Sequence, residues 1–204
     1  MSTKIKICGL TRAQDIQTAS ALQLDYIGFV FAPKSKRFVP PEQAKQLRQQ
    51  LAPGIRAVGV FVNAPPEQIA ALLADGTIDI AQLHGQEDAA YIARLRNLTR
   101  APIWQAFRIE NTEDISRANA SPADLVLLDH GAGGTGERFD WALLHGMARP
   151  LVLAGGLTPQ NAAEAIAQAR PYAVDASSGC ETNGVKDPAR MLAFVNAVRN
   201  TITD

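Results

Sequence analysis

Apolar residues along this chain fall into short runs separated by amphipathic stretches, and the two alternate regularly. Runs rich in Ile, Val, Leu and aromatic residues occupy positions 4–8, 25–31, 55–62, 78–83, 102–107, 124–129, 150–154 and 172–176, and each predicts a β-strand. Most are nearly continuous rather than alternating, as in parallel strands covered on both faces. The intervening stretches predict helices with identifiable starts. Thr11 and Gln14 have capping-box spacing before Ile16, Ala19 and Leu22, and Pro41 with Glu42 opens a run through Ala44, Leu47 and Leu51. Pro65-Pro66 precedes Ile69, Leu72 and Leu73, while Glu87 and Asp88 lead into Tyr91, Ile92 and Leu95. Thr158-Pro159 and Asp187-Pro188 cap the last two runs. The helical patterns near 111–119 and 140–147 are less distinct.

Eight strand–helix units, each of roughly 25 residues, imply a parallel sheet closed into a small (β/α)8 TIM barrel. One catalytic domain over residues 1–204 is expected, since no linker or low-complexity segment divides the chain. The alternative is an open doubly wound sheet. Against it, Cys8-Gly9-Leu10-Thr11 after the first strand is not a Gly-x-Gly-x-x-Gly fingerprint.

Composition narrows the function more than the fold. Apolar residues make up 47% of the chain, which excludes a disordered protein. Twenty cationic residues balance 20 anionic ones, so neither nucleic acid nor a membrane surface is an expected partner, while a small anionic ligand is allowed. Cys8 and Cys180 are far apart and in no metal-ligand spacing. No signal-peptide core opens the chain, and its apolar runs are too short to span a bilayer. A reducing, cytoplasmic setting is expected. The chain ends just after its eighth helix, which reads as a stand-alone domain, and a monomer is the favoured assembly.

In a barrel of this kind the chemistry sits at the C-terminal strand ends. Strand one ends in Cys8, which is either a small buried hydrophobe or a base or nucleophile. Lys34, Lys36 and Arg37 follow strand two; the lysines read as a solvated loop, and Arg37 as the better carboxylate ligand. Gln82 and His84, two apart on strand four, both point to the mouth, and His84 is either structural or catalytic. Arg108 after strand five is ligand or surface. Asp129 closes the apolar strand six, where an acid is costly without partners or a job. Asp124 and Asp140 read as boundary residues. The loop 131–136 is glycine-rich. Gly155 and Gly156 follow strand seven, and Asp175, Ser177, Ser178 and Gly179 follow strand eight. Small residues at these two ends point to a phosphorylated small-molecule ligand. No lysine ends a strand, which argues against Schiff-base chemistry.

The motifs Lys6-Ile7-Cys8-Gly9-Leu10, Ser35-Lys36-Arg37, Gln82-Leu83-His84-Gly85, Leu128-Asp129, Gly133-Gly134-Thr135-Gly136, Leu153-Ala154-Gly155-Gly156-Leu157 and Val174-Asp175-Ala176-Ser177-Ser178-Gly179 together resemble the phosphoribosylanthranilate isomerase family of tryptophan biosynthesis. The resemblance covers nearly the whole chain; Cys180 departs from it, standing where the family usually has an aliphatic residue. It implies an Amadori rearrangement with no metal or organic cofactor. It also implies Asp129 as general acid, Cys8 as general base, Arg37 on the anthranilate carboxylate, and loops seven and eight on the phosphate. Two rivals remain. An indole-3-glycerol-phosphate synthase would need catalytic lysines at strand ends, and a non-catalytic sugar-phosphate sensor would need neither Cys8 nor Asp129.

Overall fold

The computed structural model describes residues 2–129 and 141–201. The chain runs β1 (Lys4–Cys8), α1 (Ala13–Ala21), β2 (Tyr26–Val30), α2 (Pro41–Arg48), β3 (Arg56–Phe61), α3 (Pro66–Ala74), β4 (Ile80–Leu83), α4 (Ala89–Leu98), β5 (Ile103–Arg108), α5 (Thr112–Asn119) and β6 (Leu125–Asp129). It continues through a 3₁₀ turn (Trp141–Gly146), β7 (Leu151–Leu153), α6 (Ala162–Ala169), β8 (Ala173–Ala176), a second 3₁₀ turn (Ser178–Cys180), the short pair β9 (Glu181–Thr182) and β10 (Val185–Lys186), and α7 (Pro188–Arg199). Strands β1 to β8 form a closed parallel barrel, with β8 returning to pair with β1. The open-sheet alternative is thereby excluded. All eight expected strands are present, displaced by no more than two residues at either end.

Two packing layers explain why the strands read as continuous apolar runs. Inside the ring, Tyr26, Val58, Ile80, Trp104, Leu125, Leu127 and Val152 form one cluster, with Tyr26 edge-on to Trp104 at 5.1 Å between ring centroids. The intervening residues, such as Ile7, Ile27, Ala57, Ala81, Val126 and Leu153, pack outward on the helices. Each strand therefore buries both faces. The inner cluster fills the barrel beneath its mouth, leaving the C-terminal ends for chemistry. Register is uneven around the ring: β2 and β3 share five paired positions, whereas β7 and β8 share two, Val152 with Ala173 and Leu153 with Val174.

Helix starts differ in detail from expectation. The capping box of α1 is built by Arg12 and Asp15, whose Oδ2 accepts from the Thr11 and Arg12 amides at 3.0 Å, rather than by Thr11 and Gln14. A charged acceptor aimed at amides at the helix start is favoured by the dipole. After β7 the helix begins only at Ala162, because the Asn161 side chain accepts from Thr158 N and donates to Gly156 O, tying down the preceding turn. Asn111, Asp88 and Asp187 cap α5, α4 and α7 with side-chain acceptors. The helical pattern near 140–147 is a 3₁₀ turn, the form preferred by so short a segment. The glycine-rich loop 131–136 and Asp140 lie outside the described residues.

Candidate active site

The strand ends converge on one cavity of about 320 Å³, the lower end of the range for small-molecule sites. Ten of the expected residues line it: Cys8, Arg37, Gln82, His84, Asp129, Gly155, Gly156, Asp175, Ser177 and Ser178. Gly179 does not; it is buried against the Leu157 carbonyl, where loops seven and eight meet. Arg108 turns away to pair with Glu110 at 2.7 Å on the surface. Lys34 and Lys36 are exposed. Val30, Val60 and Val62 add an apolar wall from neighbouring strands.

Cys8 ends β1 directly opposite Gly28 on β2. A Cβ at Gly28 would lie 2.6 Å from Cys8 Sγ, so only glycine leaves the thiol its place. The Ser177 hydroxyl donates to the Cys8 carbonyl at 2.9 Å and fixes the strand end from the β8 side. Burial pushes the Cys8 thiol above its ordinary range; Lys6 and Lys186 pull it back, and Asp175 adds to the rise.

Asp129 closes β6, and His84 faces it, with Nε2 3.6 Å from Asp129 Oδ2. The Gln82 amide nitrogen lies 3.1 Å from His84 Nδ1. With the amide donating, the ring proton sits on Nε2, on the side of Asp129. Two buried acceptors along the cavity, Gln82 Oε1 and Asp175 Oδ1, have no hydrogen-bond partner among the described residues. Buried polar atoms are seldom left so.

Arg37 reaches the cavity from the β2–α2 loop but is already engaged. Its Nε and Nη2 donate to Glu181 Oε1 and Oε2 at 2.6 and 2.8 Å. Lys186 pairs with the same carboxylate and donates to Ser177 O at 3.1 Å. Arg12 Nη2 donates to Lys186 O at 2.6 Å. The β9–β10 hairpin thus ties the ends of β1, β2 and β8 together.

Lys6, Glu181, Lys186 and Gly28 were not singled out from the sequence, yet each had a signal. Lys6 lies two residues before Cys8 on the same strand and so shares its inward face. Asn183-Gly184 is the dipeptide of a tight hairpin turn, and both residues have positive φ, 52° and 77°. Gly28 interrupts an apolar strand, a mark of close backbone approach.

A closed parallel barrel that gathers a thiol, a carboxyl, a histidine and an arginine at its strand ends defines a (β/α)8-barrel enzyme acting on a small molecule. The chain belongs to the N-(5′-phosphoribosyl)anthranilate isomerase family, enzymes of tryptophan biosynthesis; the family's profile matches residues 5–197. It is 43% identical over 205 residues to N-(5′-phosphoribosyl)anthranilate isomerase of Caldanaerobacter subterraneus subsp. tengcongensis, covering 98% of this chain and 99% of the relative. The Pseudomonas fluorescens Pf0-1 relative of the same name is 45% identical over 206 residues, covering 97% and 99%. The crystal structure of phosphoribosyl anthranilate isomerase from Thermus thermophilus superposes with a TM-score of 0.88 at 35% identity, covering 97% of this chain and 98% of that one. A phosphoribosyl anthranilate isomerase in complex with reduced 1-(o-carboxyphenylamino)-1-deoxyribulose 5-phosphate matches with a TM-score of 0.84, also at 35% identity and the same coverage.

Proposed function

We propose that the protein converts N-(5-phosphoribosyl)anthranilate into 1-(2-carboxyphenylamino)-1-deoxyribulose 5-phosphate, with the whole chain as one catalytic unit. The observation that carries this reading is the meeting of Cys8, Asp129 and Arg37 on one cavity in a chain of this family. Asp129 protonates the furanose ring oxygen, the bond from that oxygen to C1′ breaks, and an iminium forms between C1′ and the anthranilate nitrogen. Cys8, as thiolate, takes the proton from C2′, and the C–H electron pair becomes the C1′–C2′ double bond of an enolamine. The C2′ hydroxyl then loses its proton while C1′ gains one, leaving the ketone. Atoms balance, and no electrons leave the substrate.

Arg37 binds the anthranilate carboxylate, with the ring against the wall of Val30, Val60 and Val62. Gly155, Gly156, Ser177 and Ser178 take the phosphate, since small side chains let backbone amides approach an anion. Gln82, His84 and Asp175 serve the ribose hydroxyls; their place in the lining of the cavity favours this. The complex of a relative with a phosphorylated, reduced product supports a ligand of this size and charge. The enzyme works as a monomer in the cytoplasm, where the Cys8 thiol persists; sedimentation at working concentration checks the assembly.

The deciding assay follows the fluorescence of freshly prepared phosphoribosylanthranilate. Purified protein is expected to accelerate its decay, and a rate equal to the spontaneous one overturns the reading.

A further inference from the structure

Directly beneath Cys8, the barrel interior holds an ion pair that the reaction scheme above does not use. Lys6 is wholly buried, 0% exposed, and its Nζ lies 2.7 Å from Asp175 Oδ2. The two residues are paired positions of β1 and β8, and Lys6 precedes Cys8 by two on the inward face of its strand. A lysine beside a barrel interior filled mainly by aliphatic and aromatic side chains is costly. Burying such a pair rarely gains stability over apolar residues of similar size. A stability role therefore accounts poorly for it. Its placement under the thiol accounts for it better, because in a low-dielectric interior a fixed positive charge acts strongly on its neighbour.

We propose that Lys6 is a positioning residue for the isomerisation: its buried ammonium, held in place by Asp175, supplies the charge that stabilises the Cys8 thiolate when the base is needed. The inference rests on the reading of Cys8 as the general base. Asp175 orients the ammonium through Oδ2 and also lines the cavity, so it links Lys6 to the site.

The charges around the thiol are Lys6 on its own strand, Asp175 on β8, Lys186 on the hairpin and Arg37 on the β2–α2 loop. Asp175 in turn feels Asp129 from β6 and His84 from β4. Lys6 acts more strongly on Cys8 than Asp175 does, so the pair as a whole favours the thiolate. Burial works against the Lys6 charge, but Asp175 and Cys8 outweigh it and keep the ammonium protonated above its ordinary range.

The test reads the thiol directly and needs no substrate. In a Cys180→Ala background, the rate of Cys8 alkylation by iodoacetamide is followed between pH 6 and 10 in wild type, Lys6→Met and the charge-neutral pair Lys6→Met/Asp175→Asn. Both variants are expected to titrate at higher pH, with alkylation at pH 8 slowed about tenfold, the effect of one pKa unit. In Lys6→Met, kcat/KM falls by a similar factor near pH 7 and recovers at high pH while KM holds. A fold defect would not be repaired by base. An unchanged or lower titration midpoint in the double variant overturns the inference.

Should the variants not fold, the unaltered protein still decides. The ¹⁵Nζ resonance of Lys6 must shift as Cys8 titrates and lose that response in Cys8→Ala; a resonance blind to Cys8 overturns the proposal. Coupling without isomerase activity would refute the proposed function but not the ionic link, and activity without coupling would do the reverse.

Discussion

The surroundings of Cys8, the proposed general base, favour its protonated form. Burial raises the thiol, and Lys6 and Lys186 offset part of that rise. A thiol held high is deprotonated only as pH climbs, so kcat/KM is expected to increase from pH 7 toward pH 9; a flat profile over that interval contradicts thiolate catalysis. Cys8→Ala and Asp129→Asn should fold as wild type, since both side chains stand at the barrel mouth rather than in its packed layers. Each should lose at least ~100-fold in turnover, the usual scale of acid–base catalysis. Circular dichroism checks the fold and the fluorescence assay the rate; turnover near wild type in either variant removes that residue from the mechanism. Cys180 makes the contrast. That thiol, buried beside α7 and off the cavity, is pushed up to about 12 by desolvation.

At the scale of elements, the β9–β10 hairpin matters more than its size suggests. Burial disfavours the Glu181 carboxylate, but hydrogen bonds from Arg37 and Lys186 more than offset this and hold it below the ordinary glutamate range. A carboxyl held low stabilises the fold at neutral pH and loses that contribution as pH falls through its folded value. Glu181→Gln should therefore melt below wild type at pH 7. The gap should narrow as pH falls through the lowered folded value, where wild-type Glu181 is protonated as well. Because Arg37 loses its second oxygen, KM should rise several-fold with kcat little changed. Equal melting curves and equal KM would mean the hairpin does not position Arg37. The hairpin also marks the limit of what local sequence encodes. The strands and most helices were legible because their periodicity is set by packing on a continuous core. Cys8 and Asp129 were legible because a strand end fixes which way a side chain faces, and Arg37 because its planar fork suits a carboxylate. Lys6 and Glu181 answer instead to partners far away in sequence, Asp175 and Arg37, and no local pattern announces such a pairing. The start of α1 was misplaced by one residue for the same reason: Asp15 outcompetes Gln14 for the amides through its charge and its bond to Arg12.

For the whole molecule, the ring and the site are one construction. Loops seven and eight, proposed to hold the phosphate, rise from β7 and β8. A ligand seated there binds only the closed barrel, so inorganic phosphate should raise the melting temperature. Near saturation the stabilisation is about 2.7 kcal/mol, or roughly 5–10 °C for a domain of this size. Scanning calorimetry in phosphate against chloride at matched ionic strength checks it, and identical transitions would place the phosphate elsewhere.

The uneven register of the barrel gives that binding a second meaning. A ring of strands has no edge from which to fray, so it must first part at a joint, and the joint with the fewest paired residues is the one between β7 and β8. It lies under the two loops that the phosphate would bridge. The substrate would then act as a clasp, fastening the weakest seam of the enzyme each time it binds and releasing it with the product. Closure of the barrel and occupancy of its site become two views of a single equilibrium.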